Sequence, residues 1–281
     1  MKLAVASGKG GTGKTTLSVA IAKSAKGKVQ LLDCDVEEPN SHIFLEIKDK
    51  ETKTVTVPVP VIDMEKCTHC GKCAEICEFN AIISFGGTTT MVFPDLCHSC
   101  GGCELICPEK AITEKPEEIG ELTKCSVGNI KFLEGKLKIG KAMSPPIIRA
   151  VKNAAENDLL TVIDSPPGTS CPMIAAVHDA DYVLLVTEPT PFGLNDLILA
   201  VDTVKDMKIP FSVAINRFDV GDDRVEKYCE AQGIEISLKI PDSRKVAVAY
   251  SKGISLDEAM PEVKADIRRF LKSIESAGRQ N

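Results

Sequence analysis

Two patterns of apolar residues alternate along this chain. Short continuous apolar runs, the form taken by strands buried on both faces of a sheet, occur at 2–6, 29–32, 159–163, 182–186, 211–215 and 234–238. Between them lie stretches with apolar positions three or four apart, the spacing of one helix face. Leu17, Ile21, Ala22 and Ala25 begin the series, which ends near Gly27; further helices are predicted over 146–155, 195–207, 224–232 and 261–276. Strands separated by helices predict an α/β fold with a doubly wound, mostly parallel sheet.

The alternation breaks between about Val61 and Lys115. There Cys67, Cys70, Cys73 and Cys77 are repeated as Cys97, Cys100, Cys103 and Cys107, thirty residues later, and Ala81-Ile82 is echoed by Ala111-Ile112. Such duplication predicts a pseudo-two-fold module with two equivalent sites. A charged connector is expected around Lys115 to Glu121, after which helices and strands resume. The domain organisation expected is therefore discontinuous: 1–60 and 116–281 form one α/β domain, and 61–115 is a small α+β insertion.

Candidate chemistry appears first where the opening strand meets the first helix. Gly8-Lys9-Gly10-Gly11-Thr12-Gly13-Lys14-Thr15 satisfies G-x-x-x-x-G-K-[ST] in the strand-loop-helix setting its mechanism requires. Glycines let successive backbone N–H groups turn toward phosphate oxygens, and the helix N-terminus adds partial positive charge. Lys14 is placed to neutralise the β- and γ-phosphates of ATP, Thr15 to ligate Mg²⁺, and Thr16 to extend the cradle. A glycine-rich turn that holds nothing is the plain alternative, and the spacing and placement together argue against it.

The cysteine repeat carries a second chemistry. C-x₂-C-x₂-C-x₃-C occurs twice, and the second copy ends in the Cys107-Pro108 of the bacterial ferredoxin signature. Three cysteines at this spacing wrap three corners of one cubane while the fourth points to the other cluster. Cys67, Cys70, Cys73 and Cys107 are thus expected to hold one [4Fe-4S] cluster, and Cys97, Cys100, Cys103 and Cys77 the other. The first copy departs from the signature with Glu78 after its fourth cysteine. Zinc also uses paired C-x₂-C ligands, but a zinc ribbon needs no tandem set of four plus four. His69 and His98 read as exposed loop residues, and Cys34 and Cys229 as small apolar core residues.

The extra lysine, Lys9, makes the first loop resemble the deviant Walker A motif of the MinD, ParA, Mrp and nitrogenase iron protein class. That resemblance implies a homodimer with ATP at its interface, Lys9 reaching the partner's nucleotide. It also implies roles for three further stretches. Asp33 and Asp35 match the carboxylates near Mg²⁺ and the attacking water, with Asp35 favoured for the water. Asp164-Ser-Pro-Pro-Gly168 resembles switch II: Asp164 would hold Mg²⁺ through water and Gly168 would sense the γ-phosphate. Asn216-Arg217 resembles the adenine-reading segment. The segments Met143-Ser-Pro-Pro146 and Thr187 to Gly193 are similar to those of MinD-superfamily ATPases with an inserted ferredoxin domain. Cys171, seven residues past Asp164, stands where the nitrogenase iron protein carries a bridging-cluster ligand, with Cys125 as its candidate companion.

Composition narrows the function classes. A net charge of −6, 4% aromatic residues and no Trp argue against a nucleic-acid partner. No basic leader with a long apolar core opens the chain, and no apolar stretch approaches the ~20 residues of a spanning helix, so a cytoplasmic, reducing setting is expected. Val263, Ile267, Phe270, Leu271 and Ile274 form a stripe read as a core face rather than a membrane face, and the tail from Ser276 to Asn281 is polar.

The expected activity is ATP hydrolysis coupled to assembly or carriage of iron-sulfur or related clusters, handed to an acceptor protein. The alternative is an ATP-gated electron donor to a redox partner. A third reading, a MinD-like positioning switch with redox-sensing clusters, is disfavoured by the C-terminal stripe.

Overall fold

The architecture follows from where the continuous apolar runs can be buried. In the computed structural model, which describes residues 1 to 278, the core strands are β1 (Lys2–Ala6), β2 (Val29–Asp33), β8 (Leu160–Asp164), β9 (Tyr182–Thr187), β10 (Phe211–Asn216) and β11 (Ile236–Ile240). They join β7 (Ile130–Leu137), β6 (Ile112–Val127) and β3 (Lys50–Ile62) in a nine-stranded sheet of order β11-β10-β9-β1-β8-β2-β7-β6-β3. All pairings from β11 to β7 are parallel; β7–β6 and β6–β3 are antiparallel.

Helices cover both faces, which is why β1 and β2 are almost continuously apolar. On one face α1 (Lys14–Ser24), α9 (Leu256–Ala259) and α10 (Pro261–Gly278) bury Leu17, Ile21, Ile267 and Phe270 against Leu3, Leu31 and Phe132. On the other, α4 (Pro145–Asn153), α5 (Cys171–Val177), α6 (Pro191–Asp206) and α7 (Arg224–Ala231) bury Ile147, Met173, Leu197 and Val225 against Leu32, Ile163 and Val183. The expected stripe of α10, from Val263 to Ile274, is buried throughout. Arg279 to Asn281, the end of the polar tail, lie outside the described residues. Among the described residues no helix is long and apolar enough to cross a membrane.

One expectation needs correction. The charged connector of Lys115 to Glu121 is not a connector; it lies inside the 16-residue strand β6, paired with the 13-residue β3. The far end of β3, Lys50 to Thr54, is exposed, and although Val55, Val57, Val59 and Val61 alternate along the rest of it, β6 is broken by Pro116 and charged residues. Strand β7 and the helices α5, α8 (Arg244–Tyr250) and α9 were likewise not anticipated, and β11 lies two residues later than expected.

The cysteine repeat folds at one end of the ribbon, between Asp63 and Ala111. It contains α2 (Lys72–Glu75), the hairpin β4 (Ile82–Phe85) with β5 (Thr89–Val92), and α3 (Gly102–Ile106). Its backbone repeats as the sequence does. Positive φ recurs at His69 and Ser99, at Gly71 and Gly101, and at Asn80 and Lys110. The copies also exchange pairing: Asp63 N donates to Ala111 O at 2.7 Å, and Phe93 N donates to Ala81 O at 2.8 Å. Its buried apolar core is small, built on Cys73, Ile82 and Ile112.

Candidate functional site

The carboxyl ends of β1, β2 and β8 converge on a cleft, as expected of an open α/β sheet. The loop from Gly8 to Thr15 leaves β1 and enters α1 through Gly13, whose φ of 93° is a left-handed conformation that favours glycine. Two close approaches fix its shape. A Cβ on Gly8 would sit 2.1 Å from the Asp196 carbonyl oxygen, and one on Gly13 would sit 2.6 Å from Asn216 Nδ2. Gly10, Gly11, Gly13, Lys14, Thr15 and Thr16 line a cleft of about 460 Å³, whose other walls include Asp35, Pro167, Asn216, Arg217, Asp242 and Tyr250.

Lys14 is 5% exposed at the base of α1. Burial pushes its ammonium below the usual lysine range, and the carboxylates of Asp164 and Asp35 oppose that shift. Asp164 ends β8 with no exposed surface. It accepts from Ser18 Oγ at 3.1 Å and Ser41 Oγ at 3.5 Å. Burial raises its pKa, while the Thr15 hydroxyl and Lys14 pull it back.

The structure separates Asp33 from Asp35. Asp33 is fully buried, and its carboxylate accepts from the backbone N–H groups of Asp35, Asn40 and Ser41 at 3.2, 3.1 and 2.9 Å. Burial, with Asp164 nearby, holds it well above the usual carboxylate range. Asp33 therefore folds the loop that follows it. Asp35 faces the cleft, and burial, with Asp164, raises it to about 6.

The remaining expected residues surround this group. Gly168, with φ of 91°, donates its N–H to Ser7 O at 3.0 Å. Asn216 Nδ2 donates to Thr12 O at 3.0 Å, so this side chain braces the phosphate loop. Glu188, unnoticed in the sequence, holds two cations: Lys9 Nζ lies 3.5 Å from Oε2, and Arg217 Nη1 lies 3.2 Å from Oε1. Ser18, one turn along α1 from the loop, and Ser41, Asp242 and Tyr250, brought here by distant segments, were also missed, since no local motif marks them.

Cys67, Cys70, Cys73 and Cys107 line one small cavity, which unites three cysteines of the first copy with the fourth of the second. The Cys73 thiol is pushed up by burial, with Cys67 and Cys107 contributing; that of Cys103 is pushed up to about 11 by burial, with Cys97 and Cys100 contributing. Matching amides point at the two fourth cysteines: Ala81 N donates to Cys77 Sγ and Ala111 N to Cys107 Sγ, both at 3.3 Å. Among the described residues no three His, Cys, Asp or Glu side chains meet closely enough to hold a single metal ion. His98 is exposed and stacked on Phe79. His69, contrary to expectation, is half-buried, with Nδ1 3.7 Å from Cys67 Sγ and 3.1 Å from Thr90 Oγ1.

Cys34 and Cys229 are buried in the core. Cys125 and Cys171 are not brought together. Cys125 packs with the α1 and α10 side of the sheet, whereas Cys171 starts α5 on the opposite side.

Comparison with known proteins places this geometry. Residues 3–256 match the family described as the CobQ/CobB/MinD/ParA nucleotide binding domain. An uncharacterized protein of Methanocaldococcus jannaschii is 36% identical over 221 residues, covering 77% of this chain and 78% of the relative. The iron-sulfur cluster carrier protein of Pyrococcus abyssi is 26% identical over 275 residues, covering 91% and 78%. A local match of 39% identity over 57 residues, 20% of this chain and 58% of the other, is to pyruvate synthase subunit PorD of Thermotoga maritima. Among solved structures, the cell division ATPase MinD of Pyrococcus furiosus superposes with a TM-score of 0.60 at 18% identity, covering 97% and 98% of the two chains.

Proposed function

Since this chain belongs to the CobQ/CobB/MinD/ParA nucleotide-binding family, we propose that it hydrolyses ATP and uses the cycle to assemble or carry iron-sulfur clusters held in a ferredoxin-like domain, at about 61–115, inserted into the ATPase. The observation that carries the reading is the joining, on one sheet, of a phosphate-loop cleft and the cavity lined by Cys67, Cys70, Cys73 and Cys107. The likeness to an iron-sulfur cluster carrier over most of both chains supports it.

In this reading Lys14 and the loop amides from Gly8 to Thr16 bind the phosphates, and Thr15, with Asp164 through water, holds Mg²⁺. Asp35, facing the cleft with a raised pKa, orients the attacking water and accepts its proton. Lys9 leaves Glu188 to reach the nucleotide of a partner copy, Gly168 exchanges its bond to Ser7 for the γ-phosphate, and Asn216 with Arg217 borders the base. Binding that differs between ATP and ADP states is what would move switch II.

The donor set fits two [4Fe-4S] clusters. Cys67, Cys70, Cys73 and Cys107 offer four thiols at one cavity, the pairing between the copies is reciprocal, and backbone amides point at Cys77 and Cys107, so by the symmetry of the repeat Cys77 would complete Cys97, Cys100 and Cys103. A lobe of about fifty residues with so small an apolar core needs such a staple. When bound, the clusters would supply one-electron chemistry or transferable iron and sulfide.

A second reading, an ATP-gated electron donor, is favoured by the local likeness to PorD. Iron, acid-labile sulfide and ATP turnover measured on one anaerobically reconstituted preparation test the core of both. About eight irons per chain, with turnover lost in Lys14→Ala, is the expected result. A preparation that binds neither iron nor ATP overturns it.

A further inference from the structure

The phosphate-loop cleft and the cysteine lobe lie at separate places, yet a short run of contacts joins them. Asp35 faces the cleft. The next residue, Val36, is 1% exposed, and its carbonyl accepts from Leu137 N at 2.7 Å. Its side chain is wedged at β7 so closely that a Cβ on Gly135 would sit 2.7 Å from Val36 Cγ1. Beyond Leu137 the chain turns toward α4, and Lys138 N donates to Ile119 O of the ribbon at 2.9 Å.

Lys141, in that same turn, bonds across to the lobe. Its ammonium donates to Asp95 Oδ1 at 2.7 Å and to Glu117 Oε1 at 2.8 Å. Asp95 stands two residues before Cys97, and Glu117 lies in β6. The Lys141 side chain is 16% exposed, and its two carboxylate partners raise its pKa, so it stays a cation. The turn also contains Ser144, 1% exposed, whose hydroxyl neither caps α4 nor finds another partner among the described residues.

We propose that Lys141 is the strut that makes the nucleotide-facing loop at Asp35 and Val36 and the lobe segment leading into Cys97 move as one. The proposal rests on the reading of the cleft as an ATP site and adds the residue that transmits its state. Lys141 touches neither nucleotide nor thiol; it is a positioning residue acting through Asp95 and Glu117. The coupling runs through contiguous contacts, Val36 to Leu137 and then Lys141 to Asp95, with the turn between them as the element that both sites bias.

Amide hydrogen exchange on the full reconstituted chain, with and without MgATP, tests this. In the unaltered protein MgATP is expected to slow exchange both in 34–41 and in 93–97. Lys141→Ala is expected to keep the change at 34–41, keep its iron content and basal ATP turnover within about twofold, and lose the change at 93–97. Lys141→Arg should restore it, and Asp95→Asn should reproduce the loss without touching the turn. A change at 93–97 that survives in Lys141→Ala overturns the proposal. If the unaltered protein responds at 34–41 but not at 93–97, the coupling fails and the ATP reading stands. No response at either segment overturns both.

Discussion

Asp33 and Asp164 stand directly opposite each other in the parallel pair β2–β8, and Ser41 is bonded to both. Its amide donates to Asp33 Oδ2 at 2.9 Å and its hydroxyl donates to Asp164 Oδ2 at 3.5 Å. One buried carboxylate thus shapes the loop that carries Asp35, while the other is held by hydroxyls beside Lys14. Asp33→Asn removes acceptor capacity from a group bonded by three backbone amides, so a loss of about 1–3 kcal/mol is expected. Chemical denaturation measures it.

Asp35 has the opposite profile. Its pKa is raised from 3.8 to about 6, so between these values the folded chain binds more protons than the unfolded chain, and this residue makes stability fall as pH rises. Asp35→Asn should flatten that slope between pH 4 and 6 and raise the melting temperature at pH 7, while ATP turnover drops by at least about a hundredfold, the lower range for loss of a general base. Thermal melts across pH, with a phosphate-release assay, give both readouts.

Glu188 competes with any second role for Lys9. The pair is partly exposed, and contacts of this kind contribute about 0.2–1 kcal/mol, so Glu188→Gln should lower the ATP concentration needed for dimerisation by up to about fivefold. Lys9→Ala should still bind ATP but not dimerise. Light scattering against nucleotide concentration separates the two.

The crossed cysteine arrangement makes a pairing prediction. Cys107→Ser and Cys67→Ser should each reduce iron from about eight to about four per chain, and the double variant should lose no more than either alone. Cys107→Ser with Cys97→Ser should lose nearly all of it. Iron analysis with EPR checks this, and additive loss in the first pair would contradict crossed ligation.

Local motifs were legible because their chemistry is local. The phosphate loop and each copy of the cysteine repeat fit within a dozen residues, and the stripe of α10 needed only its period. The β3–β6 ribbon was missed: β6 is charged and interrupted by Pro116, and the alternation of Val55, Val57, Val59 and Val61 in β3, which would have signalled a strand, lay among Thr and Pro. Spacing could not separate Asp33 from Asp35 either: Asp33 ends β2 and Asp35 lies two residues beyond it, and only the fold of 34–41 buries one and leaves the other at the cleft. Glu188, Ser41 and Lys141 acquire meaning from partners as far as 179 and 123 positions away, or across the ribbon, a distance no motif spans. Cys125 and Cys171 show the reverse: a plausible pair in sequence is divided by the sheet.

The most direct test of ATP-linked cluster carriage is anaerobic. EPR spectra of the reduced protein are recorded with an iron chelator present, without nucleotide, with MgATP, and with a non-hydrolysable analogue. The account predicts that iron passes to the chelator under MgATP and stays bound in the sample without nucleotide. Clusters retained in all three samples, with spectra that shift with nucleotide, would contradict cluster carriage and leave the gated electron donor in its place.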